Sequence, residues 1–75
     1  MIGSPEISIV IPVYNEEESL PQLFKELYPV MENLQRSFEI IFINDGSRDK
    51  SFAMLYDYQK EHEKTVRIID LNGNF

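Results

Sequence analysis

Two apolar runs, each ending in a short polar cluster, constrain the fold of this chain most. Ile7-Ser8-Ile9-Val10-Ile11-Pro12-Val13 leads into Tyr14-Asn15-Glu16-Glu17, and Phe38-Glu39-Ile40-Ile41-Phe42-Ile43 leads into Asn44-Asp45-Gly46-Ser47. A short run that is apolar at nearly every position predicts a strand covered on both faces. Pro12 lacks an N–H and fits the end of such a strand rather than its middle. In open α/β sheets, ligands bind beyond the carboxyl ends of the strands. Two such ends carrying carboxylates, amides and a phenol therefore predict a site for a polar ligand.

The elements between and after these runs give the order strand, helix, strand, helix, strand. The spacing predicts a first strand over Ile7 to Val13 and a first helix over Ser19 to Leu34. Ser19 and Gln22 have capping-box spacing, and Pro21 suits a first turn. Leu20, Leu23, Phe24, Leu27, Met31 and Leu34 form one apolar stripe at helical spacing. Pro29 inside that stripe predicts a kink. The second strand is expected over Phe38 to Asn44, with a turn at Asp45–Asp49 in which Gly46 can take a positive φ. The second helix is expected over Asp49 to Glu63, with Asp49 or Ser47 as N-cap and Phe52, Leu55, Tyr56 and Gln59 on one face. The third strand is expected over Val66 to Leu71, after which Asn72–Phe75 turns away. Strands separated by helices of this length pair in parallel through right-handed crossovers. With strand order 3-2-1, both helices lie on one face. The other face is then bare although its residues are apolar, so more chain, a second copy or an exchanged segment is expected to cover it.

Bulk properties set the class. With 75 residues there is room for one small domain, and such a chain buries only ~60% of its unfolded surface. The absence of cysteine excludes a disulfide or thiolate metal site as a staple. A formal net charge of −6 argues against nucleic acid as a partner. Neither a signal peptide nor an apolar run of membrane-spanning length is present, which makes the cytoplasm the expected compartment. His62, near the end of a polar helix with no second His, is expected to be exposed and gives no support for a transition-metal site. Tyr56 and Tyr58 are expected as packing or rim residues. No glycine-rich phosphate loop of the dinucleotide or P-loop kind occurs.

The strand-end residues carry whatever chemistry there is. Asp45 can accept hydrogen bonds from a nucleobase N–H, Glu16 from ribose hydroxyls, and the Pro12-Val13-Tyr14 backbone with the Tyr14 ring can line a flat ligand. Each cluster taken singly is also explained blandly. Asp45-Gly46-Ser47 makes a turn and a helix cap, and Glu16-Glu17-Glu18 makes a solvated acidic first turn.

Taken together the clusters are specific. Ile7-Ser-Ile-Val-Ile-Pro-Val-Tyr-Asn-Glu-Glu-Glu-Ser-Leu20, Phe38-Glu-Ile-Ile-Phe-Ile-Asn-Asp-Gly-Ser-Arg-Asp49 and Val66-Arg-Ile-Ile-Asp-Leu-Asn-Gly-Asn-Phe75 follow one another at fixed spacing. In these segments the chain resembles the N-terminal part of the family 2 glycosyltransferases, and most nearly those that use polyprenyl or dolichyl phosphate as acceptor. The resemblance implies an α/β, Rossmann-like three-layer GT-A half-domain. It implies that Pro12, Tyr14, Glu16, Ile43 and Asp45 bind the nucleotide, with Asp45 on the base and Ile43 packing beside it. Asn44 stands where many members carry a first aspartate, and Gly73 where relatives often have arginine.

The Asp-x-Asp motif that holds the family's divalent metal does not occur in this sequence. The resemblance therefore implies Mg or Mn for the full-length enzyme, but no metal ligand and no catalytic residue in these 75 residues. It further implies a nucleotide-sugar donor, UDP-linked rather than GDP-linked, and a lipid-linked phosphate acceptor. The full-length protein is expected at the cytoplasmic face of a membrane. The chain reads as the first third or so of a catalytic domain, inactive alone, and as a homo-oligomer. The alternative is a non-catalytic module that works by self-association or by binding a partner.

Overall fold

The structure, a computed structural model, describes residues 4–71. The expectations for Asn72–Phe75, including the departure at Gly73, lie outside the described residues. The elements are β1 (Ile7–Val13), α1 (Leu20–Asn33), β2 (Phe38–Asn44), α2 (Ser51–Glu61) and β3 (Val66–Asp70). The three strands form one parallel sheet in the order β1-β2-β3, which is the expected 3-2-1 arrangement read from its other edge. Val13 pairs with Asn44 and Asn44 with Asp70, so all three strands end at the same level.

Strand alternation sends the odd residues of β1 and the even residues of β2 and β3 to one face. That face carries both helices. Its core is Val13, Ile40, Phe42 and Val66 from the sheet, Leu20 and Met31 from α1, and Leu55 and Tyr58 from α2, with Ile7, Ile9, Ile11 and Ile68 packed around them. Phe42 is fully buried and meets the edges of Phe24 and Tyr58, with ring centroids 5.9 and 6.0 Å away. Phe24 stacks on Tyr58 at 4.1 Å. On the opposite face, Val10 and Ile69 remain about half exposed, at 55% and 47%. The bare apolar face expected from the strand order is present.

Several local expectations are corrected. Helix α1 starts at Leu20, and Ser19 occupies the N-cap position without a side-chain cap bond. The Glu16 carbonyl instead accepts from the N–H groups of Ser19 and Leu20, at 2.9 and 3.0 Å. The capping box does not form because the Ser19 N–H is taken by that carbonyl, and the Gln22 amide donates to Glu26 instead. As the apolar stripe predicts, helix α1 continues as one element through Pro29. Pro29 and Lys25 are both exposed, so the Lys25 carbonyl that loses its partner can be hydrated. The helix ends where Gln35 takes a φ of 54°, and Leu34 is exposed rather than part of the stripe.

Helix α2 is shorter than expected and is turned about its axis. Its buried residues are Ser51, Leu55 and Tyr58, whereas Phe52 and Tyr56 are exposed. Both sets have helical spacing and share Leu55. The stacking of Tyr58 on Phe24 selects between them. His62 is half-buried, not exposed, and stacks on Tyr28 with centroids 4.0 Å apart.

Tyr58 carries a cost as well as a benefit. Its hydroxyl is buried without a hydrogen-bond partner. Burial, with Tyr28 and Glu61 nearby, pushes its pKa up to about 12 from 10.0. A raised folded-state value means that the unfolded chain releases this proton first. Stability is therefore complete below pH 10 and falls as pH rises through 12. Tyr58→Phe is expected to leave stability unchanged or raise it by about 1 kcal/mol, since it removes an unpaired buried group. It should also flatten the alkaline limb. Urea denaturation at neutral and alkaline pH checks both; a loss of stability at neutral pH would show that the hydroxyl has a partner.

Candidate functional site

The loops after β1 and β2 are joined by a seam of side-chain-to-backbone hydrogen bonds. The Asn15 N–H donates to Ser47 Oγ at 2.9 Å, and the Arg48 N–H donates back to Asn15 Oδ1 at 2.8 Å. The Glu16 N–H donates to Ser51 Oγ at 2.8 Å, and the Glu17 N–H to Asp49 Oδ2 at 3.2 Å. In return the Lys50 N–H donates to Glu17 Oε1 at 2.9 Å, and the Ser51 N–H to Asp49 Oδ1 at 2.8 Å. These are backbone donors with no helix or strand partner; side chains of the facing loop satisfy all but the Ser51 N–H, which Asp49 of its own loop accepts. Asn15 and Gly46 reach this geometry with φ of 51° and 75°, a left-handed conformation that Asn and Gly tolerate best.

Asp49 links this seam to α2, although Lys50 is the N-cap residue. Desolvation pushes the Asp49 carboxyl up, but hydrogen bonds from the Ser51 hydroxyl and the Ser51 and Glu17 N–H groups outweigh it and hold the pKa below 3.8. With the folded-state value depressed, the contribution of this carboxylate is complete above the unfolded value. It is lost as pH falls through the folded one.

The seam fixes the ends of the strands and leaves an edge beside them. Pro12 and Ile43 are register partners on the face away from the helices. The Asp45 N–H donates to the Val13 carbonyl at 2.9 Å, which sets Asp45 next to the Val13-Tyr14 backbone. Tyr14 is 56% exposed and Asp45 is exposed. Their side chains make no hydrogen bond among the described residues. The edge is thus a small apolar shelf, Pro12 and Ile43, with a phenol and a carboxylate beside it.

Glu16 has a different setting. Together with Asn15, Glu17, Glu18, Ser19 and Asp49 it lines an open cleft of about 350 Å³ at the start of α1. None of Pro12, Tyr14, Ile43 or Asp45 lines that cleft. Its carboxylates would repel a phosphate, and two of them, Glu17 and Asp49, are engaged in the seam. Hydroxyl and N–H donors, not anions, are the groups that suit the Glu16 carboxylate. Asn15 belongs to the strand-end cluster read from the sequence, but its bonds across to the second loop, and the parts of Ser51 and Asp70, were not foreseen there. Asn15, a residue tolerant of positive φ directly after a strand, was the available signal.

The residues present do not fit a divalent ion of the kind the resemblance implies. Among the described residues no group of three or more His, Cys, Asp or Glu is arranged so that it could hold a metal ion. Asp49 and Glu17 accept backbone N–H bonds, and Asp70 accepts from Asn44. No chemical step is therefore drawn through a metal on this chain.

The profile of the family described as "Glycosyl transferase family 2" matches residues 8–75. The chain belongs to glycosyl transferase family 2. It is 46% identical over 71 residues to a glycosyltransferase of Synechocystis sp., covering 93% of this chain and 22% of that protein. It is 45% identical over 69 residues to the undecaprenyl-phosphate 4-deoxy-4-formamido-L-arabinose transferase of Pseudomonas fluorescens, covering 92% of this chain and 20% of that protein. Among solved structures it is similar to a mannosyltransferase from Pyrobaculum calidifontis in complex with GDP-Man and Mn2+. The TM-score there is 0.57 at 19% identity, over 92% of this chain and 20% of that one. The last likeness is one of fold. The family 2 segment described here spans 20% to 22% of the length of these curated relatives.

Proposed function

We propose that this chain supplies the nucleotide half-site of an enzyme that moves a sugar from a nucleoside-diphosphate donor to a lipid-linked phosphate. The observation that carries the reading is the edge itself. The seam consumes Asn15, Ser47, Asp49 and Ser51 in holding two loops together and leaves Tyr14 and Asp45 unengaged beside the Pro12–Ile43 shelf. A base stacked along that shelf presents an N–H to Asp45, and its ribose hydroxyls face Glu16. Family membership supports the donor class. The names of the undecaprenyl-phosphate transferases support the lipid-phosphate acceptor. The preference for a UDP-linked donor rests on the resemblance alone.

Binding, and not turnover, is the property assigned to these 75 residues. A lipid acceptor sets the parent enzyme at the cytoplasmic face of a membrane; among the described residues no helix is long and apolar enough to cross one. Calorimetric titration of the chain with UDP, with GDP as the control, tests the half-site. Saturable one-site heat with UDP is expected, weaker with GDP. No saturable heat with either nucleotide would overturn the reading.

The uncovered sheet face supports a second property, self-association. Val10 and Ile69 are 55% and 47% exposed, with Ile41 between them, and the Pro12–Ile43 shelf at the strand ends is left to the ligand. A contiguous apolar face of this kind is rare on a soluble monomer. A second copy of the chain is proposed to cover it, as two sheets packed face to face. Sedimentation at micromolar concentration is expected to give a dimer, and Ile69→Lys a monomer with its helix content intact. A wild-type monomer would exclude the interface.

A further inference from the structure

Asn44 is the polar residue buried at the end of the central strand, and its bonds reach the end of β3. It is 3% exposed. Its Nδ2 donates to Asp70 Oδ1 at 2.9 Å, and its carbonyl accepts from the Leu71 N–H at 2.8 Å. The next residue, Asp45, donates its N–H to Val13. One residue thus ties β2 to the end of β3 through its side chain and main chain, while its neighbour ties β2 to β1. Asn44 Oδ1, by contrast, is buried with no partner. Turning the amide over would not help, because Oδ1 would then face the Asp70 carboxylate, acceptor against acceptor.

A leucine has the same branched shape without an unpaired oxygen, so shape alone does not account for asparagine here. Asp70 is exposed and does not need Asn44 for its own solvation. What the amide provides is a directed link between the ends of β2 and β3, one residue before the exposed carboxylate of Asp45. We infer that Asn44 is a positioning residue: its amide, clamped on Asp70, holds the end of β2 against the Leu71 backbone so that Asp45 keeps its place at the ligand edge. The ligand part of this inference rests on the nucleotide reading above; the clamp does not.

Three variants of the chain, Asn44→Leu, Asn44→Asp and Asn44→Asp with Asp70→Asn, separate the roles. Asn44→Leu removes the clamp and the unpaired oxygen together. It is expected to melt no lower than wild type yet to bind UDP about tenfold more weakly, the effect of one lost hydrogen bond. Asn44→Asp sets two carboxylates against each other and should weaken UDP to a similar degree. Adding Asp70→Asn restores a donor–acceptor pair with its direction reversed, and affinity should return to within about twofold, as expected for directly coupled partners.

Amide hydrogen exchange reads the clamp without ligand. Protection of the Asp45 and Leu71 amides should fall in Asn44→Asp and recover in the double variant. Wild-type affinity in Asn44→Asp, or a folded double variant that recovers neither affinity nor protection, would overturn the inference. If wild type binds no UDP, the nucleotide reading fails, and hydrogen exchange alone decides the clamp.

Discussion

Replacing Phe42 by alanine is expected to remove about 3–5 kcal/mol of stability. A domain of this size holds only roughly 0.05–0.15 kcal/mol per residue in total, so the variant should be largely unfolded at room temperature. The expectation follows from position. Phe42 is fully buried in the central strand, with an aromatic edge contact to each helix, Phe24 on α1 and Tyr58 on α2. Truncation leaves a cavity where sheet, α1 and α2 meet, and the stacked Phe24–Tyr58 pair loses the surface that orients it. Relaxation into the cavity is restricted because the loops on either side of β2 are tied down. Circular dichroism and urea denaturation followed by tyrosine fluorescence measure the effect. A loss below about 1 kcal/mol, the level of an ordinary surface change, would mean that Phe42 is not the centre of the core.

Replacing Asp45 by alanine should act on binding and spare the fold. UDP affinity is expected to fall about tenfold to a hundredfold, the range for one hydrogen bond to a charged group. Stability should change by less than about 0.5 kcal/mol, because the side chain is exposed and bonds to nothing in the described residues. Only the Asp45 backbone N–H is used by the fold, in its bond to Val13, and alanine retains it. Asp45→Asn keeps an acceptor oxygen but not the charge and should fall between the two. Glu16→Ala should cost less than Asp45→Ala, because Glu16 lines a neighbouring cleft. Equal affinity in wild type and Asp45→Ala would take Asp45 out of the site.

The parts of this molecule that were legible in the sequence are those set by local pattern. The apolar runs at Ile7–Val13 and Phe38–Ile43 are both strands, and the intervening helices impose parallel pairing on them. The bare face follows from the same count, since two crossovers of one hand from one edge leave both helices on one side. What the sequence did not disclose depends on contacts between distant residues. Phe52, Leu55, Tyr56 and Gln59 have as good a helical spacing as Ser51, Leu55 and Tyr58, and only the approach of Phe24 from α1 decides which face of α2 is buried. The capping box at Ser19 is displaced by the Glu16 carbonyl, whose position depends on the bond from Glu16 to Ser51, 35 residues away.

The candidate site divides in the same way. Pro12, Tyr14, Ile43 and Asp45 are found by asking which residues follow parallel strands. The seam that frees two of them cannot be seen from either cluster alone. Ser47 and Asp49 do hold a turn and a helix start, as the bland reading of that cluster has it. The ligand edge is what remains after that structural use, and it is smaller than the two clusters together.

Amide chemical-shift mapping of the isotope-labelled chain during titration with UDP tests the central claim most directly. The half-site account predicts that the largest perturbations fall on Tyr14, Ile43, Asn44 and Asp45, where β1 and β2 end side by side. Unmoved amides at those positions, with perturbation confined to the cleft of Glu16 to Ser19 or to the Tyr28–His62 end of the molecule, would contradict it.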